Sequence, residues 1–499
     1  MTNLFKIYER LAEEQPEKPA LIFQREPYVG AGWTWSELLE RSQILSRKLK
    51  KSGPAERGLW AIVLADHPDI LPLLLAIWQL GGAALLIDGA WGSRLRNAVL
   101  AHATPNSIVT LLPELTVTCL SNLPPGDCLS ADAALLSYTS GSTGDPKATV
   151  MTHTRLSTTM YAASAAVVRH RGSSPARIGC SMRLSGSGVL NLHYTWAVCA
   201  DAAVVVLPEL VLDTTLGYWQ RIEEYEIDQM FLVPPLIELL NYAALPPSGR
   251  RKPPICITGS SPLSPRTQER FHQRFQIGLL NAYGLTESMC AAFFGEYDEC
   301  GMGLNSIGQP ALLKARLRNA AGRTVEGPGE GELELSGPTL FEGYYRNPAA
   351  TAAAFDGSWF RTGDLMRRDE RGHYWIVGRA KDVVMRGGFA IYLIEVEEAA
   401  LDLVGVQEAA AVPLVLPDGS EDIGLLVRPL PGAQIEPSAV AAELRVRLGA
   451  QRTPRRVITA SNALPRTGQE KLDRRRVSEM WHELSGQTTI TPGVIWTAN

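Results

Sequence analysis

Short apolar runs recur along the first half of the chain, and the segments between them have helix length. LWAIVLA (59–65), AALLI (83–87), AVVVL (203–207) and MFLVP (230–234) are the clearest. Their lengths and β-branched content predict buried strands, and their alternation with helical segments predicts parallel sheets with helices on the faces. The longest nearly uncharged run is ILPLLLAIWQLGGAALLI (70–87). Pro72, Gln79 and the Gly81-Gly82 pair interrupt it, so it predicts a buried helix followed by a buried strand rather than a membrane span. LPPSGRRKPP (245–254) cannot continue a helix or a central strand and reads as a surface connection inside a domain. From about Gly327 the pattern shortens to turns and strands, as in GPGEGELELSGP and GHYWIVG, which predicts a small β-rich subdomain. No repeat at solenoid periods is present.

Composition narrows the class. At 499 residues the chain exceeds one ordinary core and implies two to four domains or subdomains. Apolar residues at 45% and charged residues at 20% describe an ordinary globular protein and exclude collagen-like and disordered classes. With 48 Lys and Arg against 52 Asp and Glu, the net charge of −4 offers no broad field for nucleic acid or an anionic membrane. Any anion must therefore be bound locally. The seven Cys (119, 128, 180, 199, 256, 290 and 300) form no CxxC pair and cannot all pair with one another, which fits a reducing, cytoplasmic setting. MTNLFKIYERLAEEQPEK carries charge in every turn and lacks the apolar stretch of a secretory signal, so the mature chain is expected to start at Met1.

Candidate chemistry begins at YTSGSTGDPK (138–147), which follows the apolar run AALLSY (133–138). A loop of Ser, Thr and Gly can turn hydroxyls and backbone N–H groups toward phosphate oxygens, with Lys147 as a point charge. The Walker pattern is excluded, because Pro146 and Ala148 flank the lysine where Gly and Ser or Thr are required. Taken by itself the stretch fits a phosphate cradle or a flexible polar linker.

With that loop, five further segments resemble the AMP-forming adenylating superfamily of acyl-CoA synthetases, peptide-synthetase adenylation domains and luciferases. They are TGSSPLS with NAYGLTES (258–264 and 281–288), WFRTGDL (359–365), GRAKD (378–382) and PRTGQEKLDR (465–474), in family order over nearly the whole chain. The resemblance implies that Thr139, Ser140, Gly141, Ser142, Thr143, Gly144 and Lys147 hold the β and γ phosphates of ATP. It implies adenine and α-phosphate contacts for Ser260, Ala282, Tyr283, Gly284 and Thr286, with Glu287 binding Mg²⁺. Asp364 would accept bonds from both ribose hydroxyls, and Arg379 would touch ribose and phosphate. Lys381 falls at the hinge position, Lys471 at the catalytic lysine, and Gly387 and Gly388 at the thiol tunnel. Ser185, Gly188, Gly259 and Asn281 would line the acyl pocket.

The fold implied is α/β: a large N-terminal adenylate-forming domain (1–380) of parallel subdomains plus a β-rich one, a small mobile α+β domain (381–485) and a tail (486–499). The activity implied is ATP-dependent adenylation of a carboxylic acid and transfer to a thiol, of CoA first and of a carrier protein's phosphopantetheine second. A catalytically silent nucleotide-binding protein and a luciferase-like oxidase are the other readings. The chemistry asks for these residue types, because two anions must be held together while charge builds on the phosphates.

Departures bear on the substrate. CSMRLSGSGVLNL (180–192) lacks the His that many relatives carry, and also the Asp that would pair with an amino-acid ammonium. An aryl or aliphatic acid is therefore expected, with Ser185, Gly186, Ser187 and Gly188 leaving room for bulk. Ala148 and Glu470 each stand where Gly is usual, and Arg386, Phe389 and Ala390 also depart from the common pattern. Plainer readings remain for single residues: Glu287 as a helix-start carboxylate, Asp364 as a turn residue, Gly387-Gly388 as a hairpin turn and KLDRRR as solvated basic surface. His153 and His193 are assigned no role.

Overall fold

Each of the four apolar runs forms a strand, at Leu59–Leu64, Ala83–Asp88, Ala203–Val206 and Gln229–Leu232. The computed structural model describes residues 3–52, 57–64, 66–89, 91–111, 114–120, 129–139, 147–184, 187–249, 252–297, 306–386, 389–416, 420–467 and 471–486. Positions 140–144, Ser185, Gly387, Gly388 and Glu470 lie outside them.

The chain divides into two compact units, Met1–Ala315 with Glu334–Arg361, and Arg316–Leu333 with Thr362–Asn499. The first unit holds two large sheets. In the six-stranded sheet, Leu59–Leu64 lies between Ala83–Asp88 and Ser107–Thr110, all parallel, and Ala133–Thr139 joins Ala83–Asp88 in parallel. Its edges, Thr116–Cys119 and Lys147–Thr152, run antiparallel. In the nine-stranded sheet six consecutive strands are parallel, in the order Leu279–Tyr283, Ile255–Thr258, Gln229–Leu232, Arg177–Cys180, Ala203–Val206, Pro19–Phe23. Buried parallel strands explain why these runs are apolar throughout rather than alternating.

The run at 70–87 folds as expected, into helix Ile70–Gln79 and strand Ala83–Asp88. Nine of the ten helix residues are buried, and Trp78 Nε1 donates to Ala134 O at 3.0 Å. No described helix is long and apolar enough to cross a membrane. Proline placement marks helix starts: Pro234 opens Pro234–Ala243 directly after the strand Gln229–Leu232, and Pro265 opens Pro265–Phe275 behind a Ser264 cap.

The second unit carries residues 362–368 of strand Trp359–Arg368, paired antiparallel with Tyr374–Arg379, then the hairpin Val383–Arg386 and Phe389–Tyr392. Beyond them, Val406–Val415, Glu421–Pro429 and Arg456–Thr459 form a three-stranded sheet covered by helices Leu393–Leu401, Pro437–Leu448 and Arg474–Ser485. Its core joins Val384, Ile391, Val396, Leu425 and Leu444, and a second cluster surrounds Trp481.

Two side-chain environments generate predictions. A Cβ on Gly424 would lie 2.5 Å from the buried indole of Trp481. Gly424→Ala is expected to cost about 1–3 kcal/mol by overpacking, read as a lower denaturation midpoint for the second unit. His153 opens helix His153–Arg171 beside the Trp78 ring and accepts from Leu4 N at 3.4 Å. Burial pushes its imidazole down to about 4, with Asp132 opposing. The unfolded chain then binds a proton that the native state refuses, so stability is lost as pH falls from about 6.5 toward about 4. The slope expected is about 1.4 kcal/mol per pH unit, and urea melts of His153→Gln should lack that component.

Candidate active site

The loop predicted to cradle phosphates connects two antiparallel strands. Thr139 ends one, Lys147 begins the other, and the two pair across the sheet. Tyr138, the first residue of the motif, is hydrogen-bonded to His102 Nδ1 at 2.6 Å. Ala148 is buried and paired with Tyr138, so the position where Gly is usual is filled by a methyl group in the sheet core.

A second segment comes off the end of strand Leu279–Tyr283. Tyr283 is buried with its ring edge-on to Phe293, the centroids 5.7 Å apart. Gly284 admits no side chain, because a Cβ there would sit 2.3 Å from Cys290 O. The backbone then makes a single 3₁₀ turn over Thr286–Ser288 and doubles back, with Cys290 N donating to Leu285 O and Ala292 N to Tyr283 O, each at 2.8 Å. Met289 and Cys290 both take left-handed conformations at φ 56° and 70°, and so does Ser260 at φ 75°. Left-handed non-glycine residues are costly and cluster where surrounding structure enforces them, often at functional sites. Gly259 is required at its place, because a Cβ would lie 2.6 Å from Ala282 O; Asn281 pairs with Thr258 alongside. At Gly188 no described atom lies within 4 Å of a Cβ position.

The turn at 286–288 presents Glu287, whose side chain is 9% exposed. Its Oε1 accepts the hydroxyl of Tyr344 at 2.8 Å, and its backbone oxygen accepts from Phe341 N at 2.8 Å. The same Tyr344 ring lies beneath Lys147, with Nζ 5.1 Å from its centroid. Burial, and then the Glu287 charge, push the Tyr344 phenol well above its ordinary value, so it stays protonated and donates. Sequence reasoning missed Tyr344. The signal available was GYYRNP (343–348), two aromatics after a glycine and before an Asn-Pro helix start, where Asn347 accepts from Ala350 N. Its distance in sequence from both partners hid the meeting.

In the second unit Asp364 is not a turn residue. It lies buried within strand Trp359–Arg368, paired in register with Arg379, and its Oδ1 is 3.0 Å from Arg379 Nε. Lys381 follows in a 3₁₀ turn; desolvation first, then Arg379 and Arg474, lower its pKa against Asp382 and Asp364. The reading of KLDRRR as solvated surface holds for Arg475 and Arg476, which are exposed, and fails for Arg474. Asp473 caps helix Arg474–Ser485 through Arg476 N, and Arg474 forks onto both oxygens of Glu397, Nη2 to Oε2 at 2.9 Å and Nη1 to Oε1. Lys471 sits just before this anchor, its carbonyl accepting from Thr467 N at 2.7 Å and Leu472 bridging to Arg466. Arg386 and Phe389 pair across the hairpin whose two connecting glycines are outside the described residues. His193 is buried and bonded through Nδ1 to Val189 O at 2.9 Å, a local structural use.

These arrangements were compared with known proteins. The family described as AMP-binding enzyme matches residues 8–127 and 120–345. Among curated proteins, the chain is 32% identical over 441 residues to the sulfoacetate–CoA ligase of Cupriavidus necator, covering 86% of this chain and 84% of that one. It is 26% identical to the indoleacetate–CoA ligase of Aromatoleum aromaticum, covering 95% and 97%. Among solved structures, ATP-bound MatB from Rhodopseudomonas palustris superposes with a TM-score of 0.80 at 23% identity, covering 96% and 99%. The o-succinylbenzoate CoA synthetase of Bacillus subtilis, in complex with its acyl adenylate, gives 0.79 at 20%, covering 96% and 98%. The α/β fold expected from the sequence is therefore the observed one, and the chain belongs to the AMP-binding enzyme family, as an AMP-forming adenylating enzyme of the acid–thiol ligase type.

Proposed function

We propose that this protein activates an aryl or aliphatic carboxylic acid with ATP and passes the acyl group to the thiol of CoA. The observation that carries this reading is the meeting of Lys147 and Glu287 on one tyrosine, a cation and a carboxylate from two distant motifs gathered where a polyphosphate would need both. A carboxylate oxygen of the acid attacks the α-phosphorus, the bond to the bridging oxygen breaks and pyrophosphate leaves. The thiol sulfur then attacks the acyl carbon and AMP leaves. No protein side chain becomes covalent, so the protein contributes positioning and charge.

Lys147 neutralises the departing phosphates as a point charge. Among the described residues no group of three His, Cys, Asp or Glu could hold a metal. That suits Mg²⁺, which ordinarily takes one or two carboxylates together with substrate phosphates and water, and Glu287 supplies a hard oxygen donor. When bound, Mg²⁺ would offset phosphate charge. Asp364, fixed by Arg379, offers two acceptor oxygens to the ribose hydroxyls. Lys471 is assigned to the substrate carboxylate and α-phosphate, Lys381 to the hinge between domains 1–380 and 381–485, and Gly387-Gly388 to the pantetheine path.

The acyl group is read as uncharged at its far end. Arg183, the cation of the 180–192 segment, is exposed and turned to Glu209, its Nε 2.7 Å from Oε1. The test is exchange of labelled pyrophosphate into ATP across aryl, fatty, sulfonated and amino acids, followed by CoA or a phosphopantetheinylated carrier protein as acceptor. Exchange with aryl or aliphatic acids is expected, reduced about 100-fold or more in Lys471→Ala. Exchange unchanged in that variant, or driven only by amino acids, would overturn the assignment.

A further inference from the structure

We propose that Tyr344 is a positioning residue that sets Glu287 for metal binding and holds Lys147 in line with it. The inference rests on the adenylating function proposed above and adds a residue to its machinery. Four interactions place the 341–345 segment between the two charged groups. Phe341 N donates to Glu287 O at 2.8 Å, and the Tyr344 hydroxyl donates to Glu287 Oε1 at 2.8 Å. Tyr345 N donates to Ala148 O at 2.8 Å, and Tyr344 bridges to Thr149. The segment thus ties the backbone beside Lys147 to the backbone of Glu287, and one side chain touches both charged groups.

The chemistry of each contact differs. A phenol donating to Oε1 fixes the carboxylate's rotation, and Glu287 would then supply its other oxygen to a small hard cation. The ring beneath Lys147 attracts the ammonium through its negative face and limits where a flexible four-carbon stem can place it. Tyr344 is itself held, because its backbone N donates to Thr351 Oγ1 at 2.9 Å and its ring lies edge-on to Phe341 with centroids 4.9 Å apart. A rigid tyrosine can therefore transmit a fixed geometry to both partners.

Tyr344→Phe removes the hydroxyl and keeps the ring, whereas Tyr344→Leu removes both. The readout is thermal stabilisation of the full chain by ATP, titrated with Mg²⁺ and repeated without metal. For Tyr344→Phe the expected result is a Mg²⁺ half-point raised about tenfold, the scale of one lost hydrogen bond to a charged group, with metal-free ATP stabilisation unchanged. For Tyr344→Leu metal-free stabilisation by ATP should fall as well. In a Glu287→Gln background, Tyr344→Phe should add no further shift, since its action runs through that carboxylate. An unchanged Mg²⁺ half-point in Tyr344→Phe, or an equal additional shift in Glu287→Gln, overturns the proposal. If the unsubstituted protein shows no ATP stabilisation with Mg²⁺, the functional reading fails first and the proposal with it. Should Tyr344→Leu not fold, the Phe variant and the Glu287→Gln pair still decide it.

Discussion

The closing of one connecting segment, 341–345, across a strand and a turn governs the nucleotide side of this protein. Phe341 N and Tyr345 N, four residues apart, reach Glu287 O and Ala148 O. A backbone bridge of this kind does not depend on side-chain rotamers, so the separation of Lys147 from Glu287 is set by peptide geometry. Glu287 lies just past the carboxyl end of strand Leu279–Tyr283, and open α/β sheets place their ligand crevices beyond such ends; Ala148 is the second residue of the edge strand Lys147–Thr152. The buried parallel strands supply the rigid frame, and the site is what that frame leaves outside it.

The second unit follows the same logic with charge instead of backbone. Asp364 is buried and would be costly there alone, yet it carries Arg379 from the adjacent strand as its partner. Arg474 performs the matching service near Lys471, its fork on Glu397 fixing the start of the last helix. In both places an arginine paired with a carboxylate fixes the backbone beside a residue assigned to the site.

Much of this was legible in the sequence. Strands at 59–64, 83–88, 203–206 and 229–232 were readable because a strand buried on both faces is apolar at every position. The helix and strand within 70–87 were readable because Pro and Gly break the run where the structure turns. Lys147, Glu287 and Asp364 were singled out through ordered motifs, and the structure adds where each one sits. Tyr344 was not readable, since an aromatic in a turn carries no local sign of which carboxylate or ammonium it will meet. Likewise the burial of Asp364 and the fork of Arg474 on Glu397 depend on cross-strand and helix-to-sheet contacts, which no short window of sequence contains.

The left-handed residues beside the site bear on how this protein can vary. Ser260, Met289 and Cys290 occupy backbone conformations that β-branched side chains resist. Diversification of the pocket by Val, Ile or Thr is therefore closed at those three places, while Gly and Asn are admitted there. At Gly188, by contrast, no described atom lies within 4 Å of an added Cβ. The backbone of the turn thus acts as a filter on the evolutionary routes open to the segment beside Glu287, before any question of fit to a ligand arises.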